Sequence, residues 1–174
     1  GYGSFDEISI INSSLALYYF AFGLPAFAII KIFSTFFFAR HNTKAPFYFS
    51  LISVILNILI SVAYFNKIGF IIIPIATSIS SWVNVILLYI YLYNKNYYRS
   101  NISEVLSCLK IICCSSISAY IFYLMIKEFS IYLAYEYSLK FLVIIIMILL
   151  TFFSYILVCI ITNTFKLSDI KLKY

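Results

Sequence analysis

Apolar residues in this chain come in five long runs, about Ile10–Ala39, Phe47–Phe65, Ile68–Tyr93, Val105–Ile126 and Leu139–Thr162. A helix needs roughly twenty residues to cross the ~30 Å hydrocarbon core of a bilayer, and each run is near that length or longer. Backbone groups at bilayer depth must be satisfied within the segment, which a helix does and an isolated strand does not. The pattern predicts an all-α integral membrane protein with five transmembrane helices. Composition closes off a soluble alternative: 64% of the 174 residues are hydrophobic and 10% are charged, against about 25% charged in an ordinary soluble domain. The net charge of +6 sits between the runs and forms no patch that would hold nucleic acid.

Groups able to do covalent chemistry are scarce. Cys108, Cys113, Cys114 and Cys159 all lie in apolar runs and match no zinc or redox spacing, so they read as small buried hydrophobes. His41, the only histidine, stands in a basic turn with no carboxylate nearby, as an interfacial loop residue. Nothing in the sequence resembles an enzyme, and no cofactor or metal set is indicated. The chain opens on Gly1 without the pattern of a signal peptide, and the expectation is a piece of something longer.

The first run is too long for one straight crossing. At 1.5 Å per residue it would reach roughly 45 Å, and Gly23-Leu24-Pro25 is where it should bend, since Pro25 removes a backbone donor. Lys31 follows, on one face with Gly23, Phe27 and Thr35. It lies about 12 Å from the helix end near Ala39 at 1.5 Å per residue, too deep for its stem to reach the interface fully. The five apolar runs hold no acidic residue, so Lys31 has no carboxylate of its own to pair with. An ammonium of this kind faces a cavity or a partner, where it suits a phosphate oxygen; the competing account is that Lys31 snorkels and helps orient the helix. The run ends in Arg40-His41-Asn42-Thr43-Lys44, closed by Pro46.

The second and third runs carry polar stripes. Ser50, Ser53, Asn57 and Ser61 recur at helical spacing on one, and Pro74, Thr77, Ser81 and Asn84 on the other. Joined by a tight turn at Asn66-Lys67, the two should form an antiparallel hairpin whose stripes face each other, with Asn57 meeting Thr77 and Ser61 close by. Such stripes serve helix packing or a cavity wall. The fourth run holds Lys110 near its start, where its stem can snorkel. The fifth is almost wholly apolar beyond Thr151 and Ser154. Counting basic residues gives the topology. Arg40, Lys44, Lys95, Arg99, Lys166, Lys171 and Lys173 share one side, with Lys67, Lys127 and Lys140 opposite. The excess places the C-terminus in the cytoplasm and the N-terminus outside.

Several of these stretches resemble the MurJ (MviN) family of lipid II flippases. GYGSF at residues 1–5 is similar to the loop before that family's tenth helix, and GLPAFAIIKIFSTFFFARHNTKAP to the tenth helix and its cytoplasmic turn. IGFIIIPIATSISSWVNVILLY is similar to the twelfth, including Ala76-Thr77-Ser78 and Trp82-Val83-Asn84. The resemblance implies part of a fourteen-helix transporter fold of the MOP superfamily, with two six-helix lobes and a terminal helix pair. Residues 1–94 would be the end of the C-terminal lobe, and 95–174 the terminal pair (helices thirteen and fourteen) with a cytoplasmic tail. It further implies a bacterial inner-membrane protein that moves lipid II by alternating access. Membrane lipids and the absent N-terminal helices, or a split partner, would be its other contacts, and the terminal pair would line a groove for the polyprenyl tail. The family's cavity arginines lie mostly in earlier helices, which leaves Lys31 and Arg40 as cationic cavity candidates, beside Asn57, Ser61, Thr77 and Asn84 from the stripes. The alternatives to this reading are another lipid-linked oligosaccharide flippase, a cation-coupled antiporter of the superfamily, or a truncated remnant that transports nothing.

Overall fold

The computed structural model describes residues 6–99, 101–133, 139–162 and 164, and all regular structure among them is helical. The helices are α1 (Glu7–Ala21), α2 (Leu24–Phe38), α3 (Lys44–Ile68), α4 (Ile72–Asn94), α5 (Ile102–Glu128) and α6 (Lys140–Ile161), with a 3-10 turn at Gly69–Ile71 between α3 and α4. Among the described residues, four stretches are long and apolar enough to cross a membrane: Glu7–Phe38, Lys44–Asn94, Ile102–Glu128 and Lys140–Ile161. Large apolar side chains point outward along them, Val62 at 72% and Phe153 at 67% exposure. Apolar surface on this scale belongs against lipid, and the protein is a multi-pass integral membrane protein.

The bend expected in the first run is a complete break. α1 stops at Ala21, and α2 restarts at Leu24 with Pro25 in its first turn, where a missing N–H costs nothing. The turn between the second and third runs falls elsewhere than expected. Asn66 and Lys67 stay helical, and the chain reverses at Gly69, whose φ of 74° only a residue without Cβ adopts freely.

Two other helix ends also use a positive φ, with a different closure. Asn42 N–H donates to Phe37 O with His41 at φ 55°, and Tyr97 N–H donates to Leu92 O with Asn96 at φ 53°. Both are Schellman closures with a non-glycine residue in the left-handed position. The lone histidine therefore ends a helix.

The chain divides into two compact units, Gly1–Arg99 and Ser100–Tyr174. In the first, α3 runs antiparallel to α4, while α1 and α2 run parallel to it. Tyr19 and Phe22 meet Ser78 and Trp82, and Phe37 packs on Tyr91. Its core is Phe37, Leu88 and Leu92, nearly free of solvent and bordered by Phe33, Phe36, Phe49 and Tyr98. This topology gathers Arg40, Lys44, Lys95 and Arg99 at one end and leaves Asp6 and Glu7 at the other. The second unit is the α5–α6 hairpin, where Cys114 Sγ lies 3.4 Å from Thr162 Oγ1. Residues 134–138 between α5 and α6 lie outside the described residues, as do residues 1–5 and the lysines of the tail.

Candidate functional site

The two polar stripes meet along the α3–α4 contact and form a seam. Ser53 Oγ donates to Ser80 O at 2.6 Å, a backbone carbonyl of the facing helix. One turn further along α3, Asn57 Nδ2 donates to Thr77 Oγ1 at 3.0 Å and reaches Ser80 Oγ at 3.4 Å. Ser61 Oγ approaches Asn57 Oδ1 at 3.5 Å. Rising numbers on α3 pair with falling numbers on α4, as an antiparallel register demands. α2 lies beside the seam, and Phe27 and Ile30 complete a cleft of about 330 Å³ walled by Ser50, Ser53, Asn57, Thr77, Ser81 and Asn84. An amide or hydroxyl pair across helices in lipid is worth about 0.6 kcal/mol on average, with a maximum near 1.7. The seam therefore sets register more than it supplies stability.

Asn84 differs from its neighbours. It is 6% exposed, lies on the cleft wall, and its Oδ1 has no hydrogen-bond partner among the described residues. Ser81 spends its hydroxyl on Thr77 O of its own helix at 2.7 Å. The seam thus offers neutral oxygens and one vacant acceptor. Among the described residues no three His, Cys, Asp or Glu side chains come together as metal ligands, and a cation held by neutral oxygens alone would be held weakly.

The structure brings four of the six candidate residues together, Asn57, Ser61, Thr77 and Asn84, and leaves the two cations apart. Lys31 is exposed, one residue beyond Ile30 of the cleft wall, and does not itself line the cleft. Arg40 sits past the end of α2, its guanidinium 4.6 Å from the centre of the Tyr97 ring and its Nη1 donating to Phe36 O at 3.3 Å. That is the setting of an interfacial anchor.

Three polar residues of α4 escaped the stripe reading. Ser80 shares the seam face with Thr77, and its spacing could have revealed it. Ser78 and Trp82 point the other way. Ser78 Oγ donates to Tyr19 O at 2.7 Å, and Trp82 Nε1 to Phe22 O at 3.0 Å. Their partners are backbone carbonyls at the α1–α2 break, which leave no signature in the sequence.

A family profile described as "Lipid II flippase MurJ" matches residues 1–142. The chain belongs to the MurJ family. Curated relatives under the name "Probable lipid II flippase MurJ" agree. That of Rickettsia prowazekii (strain Madrid E) is 35% identical over 136 residues, covering 78% of this chain and 26% of that protein. That of Rhizobium tropici is 32% identical over 92 residues, 53% of this chain and 17% of the relative. That of Buchnera aphidicola subsp. Acyrthosiphon pisum (strain APS) is 29% identical over 134 residues, 75% of this chain and 26% of the relative. The chain spans about a quarter, or less, of the length of these relatives.

Proposed function

We propose that this chain is the C-terminal part of a lipid II flippase of the bacterial inner membrane. It would move the lipid-linked peptidoglycan precursor by alternating access, without chemical conversion. The observation that carries the reading is the family match over 142 consecutive residues, which takes in the break, the seam and α5. In this reading the chain crosses the membrane five times, α3 and α4 counting as separate spans. The first unit is the end of a six-helix lobe, and α5–α6 is the terminal pair. Helices from the rest of a full-length family member, in one chain or as a split partner, supply the remainder of the cavity.

The gathering of Arg40, Lys44, Lys95 and Arg99 at one end of the first unit, away from Asp6 and Glu7, supports a cytoplasmic position for that end. Lys31 is then the charge proposed to meet a phosphate oxygen of the substrate, with the seam as neutral cavity wall. The shallow apolar groove of about 390 Å³ between α5 and α6, lined by Ala119, Phe122, Ile148 and Phe152, suits a polyprenyl chain. The test is growth of a flippase-depleted cell carrying the full-length protein with Lys31→Met or Lys31→Arg at equal membrane abundance. Loss with Met and rescue with Arg is expected. Growth with Met equal to wild type would remove Lys31 from the substrate path.

A further inference from the structure

The break between α1 and α2 has an unusual support. Pro25 brings no N–H to the carbonyl four residues before it, and Gly23 N–H turns to Phe20 O at 2.9 Å. Tyr19 O, which a continuous helix would pair with Gly23 N–H, takes the Ser78 hydroxyl at 2.7 Å instead, and Phe22 O takes the Trp82 indole N–H at 3.0 Å. Backbone carbonyls at bilayer depth are costly to leave unmet, and here both donors come from one helix, one turn apart. Gly23 permits the approach, because a Cβ there would stand 3.0 Å from Ser78 Oγ and 3.3 Å from Ser78 Cα.

We propose that Ser78 and Trp82 form a two-point clamp that fixes the angle at the break and so positions Lys31 on α2. Both acceptors lie at the end of α1, so the two bonds hold that end along α4, while Phe37 seated against Leu88 and Leu92 holds the far end of α2; together they fix the two arms of the break. Lys31 lies eight residues beyond Gly23. At 1.5 Å rise per residue that is about 12 Å, so a swing of about 15° would carry its stem about 3 Å. A displacement of that size separates a formed phosphate contact from a broken one. The clamp itself follows from geometry; its consequence for transport rests on the reading of Lys31 as a substrate contact.

The experiment measures the angle first. The chain, with its four cysteines replaced, is placed in nanodiscs with spin labels at Ser13 of α1 and Ile32 of α2, both exposed. A single narrow distance is expected for the parent and for Ser78→Thr, which keeps the hydroxyl. The pair Ser78→Ala with Trp82→Phe should broaden or shift the distance at unchanged helix content. An unaltered distribution in that pair overturns the clamp. Trp82 is the only tryptophan, so its emission reports the site directly. Gly23→Val should move the emission maximum, and emission identical to the parent would contradict the close approach. The full-length protein is then scored for growth in flippase-depleted cells. If the pair disturbs the distance and cells grow normally while Lys31→Met fails, the positioning role is overturned. If Lys31→Met itself grows, the substrate reading has failed, and the clamp stands or falls on the distances.

Discussion

The two units differ in which polar side chains reach across to a neighbouring helix. In the first, Ser53, Asn57, Ser78 and Trp82 all reach across to another helix. In the second, Ser107, Ser115, Ser116 and Thr151 each donate to a carbonyl four residues back on their own helix, and contacts across the hairpin include Cys114 with Thr162 and Thr164 and Tyr155 with Ser115. Lipid offers no hydrophobic drive to hold one helix against another, so polar pairs and close packing must fix register. A hydroxyl that bonds back to its own turn fixes nothing beyond that turn. The first unit is thereby built as a wall with set geometry. The second, the α5–α6 hairpin, leans more on side chains that bond their own helix.

The largest expected difference between the units lies in packing. Phe37 is fully buried with Leu88 and Leu92 at the crossing of α2 and α4. Phe37→Ala should cost about 3–5 kcal/mol, the range for deleting a buried aromatic ring. Phe153 of α6 faces outward at 67% exposure, and Phe153→Ala should lie within about 0.5 kcal/mol of the parent. Reversible unfolding in mixed micelles, followed by helix content, measures both. Equal losses would erase the contrast between wall and hairpin.

A smaller effect tests the seam itself. A double-mutant cycle on Asn57→Ala and Thr77→Val should return a coupling of about 0.6 kcal/mol, and no more than about 1.7. The matching cycle in the second unit, Ser115→Ala with Thr151→Val, should return a coupling near zero, since each hydroxyl bonds its own helix. Coupling in the second pair as large as in the first would mean that self-bonded hydroxyls do hold helices together.

Much of the first unit can be read from spacing alone. Two stripes at helical period, joined by a short turn, predict an antiparallel seam and the meeting of Asn57 with Thr77. Gly23-Leu24-Pro25 likewise announces its break, because proline and glycine act through the backbone of their own segment. The rest is hidden for definite reasons. Asn66-Lys67 reads as a turn by polarity, yet a helix end near an interface tolerates both residues, and the conformation decides in favour of Gly69. Arg40 carries the charge of a cavity residue, and its contact with the Tyr97 ring 57 positions along the chain is not visible in the sequence. Ser78 and Trp82 donate to main-chain oxygens, which every residue possesses, so no pattern of side chains could name their partners.

The smallest expected effect concerns how the first unit begins. α1 is capped by Asp6, whose Oδ1 accepts Ser9 N–H at 2.9 Å. Hydrogen bonds from Ser9, side chain first and backbone second, hold the Asp6 carboxyl below its usual range. A carboxyl whose pKa is lower folded than unfolded contributes stability above the unfolded value, about 3.9, and loses it as pH falls through the folded value. The cap should therefore be fully formed at neutral pH and weaken only below about 3.9. Asp6 is fully exposed, so screening keeps the effect local to the first turn. The Ser9 amide resonance in nanodiscs should shift with a midpoint below that of an unstructured aspartate, and Asp6→Asn should abolish the titration while keeping an acceptor at the cap. A midpoint at or above the unstructured value would show that the first turn of α1 is not held by this carboxylate, and that the unit's fixed geometry begins further along the helix.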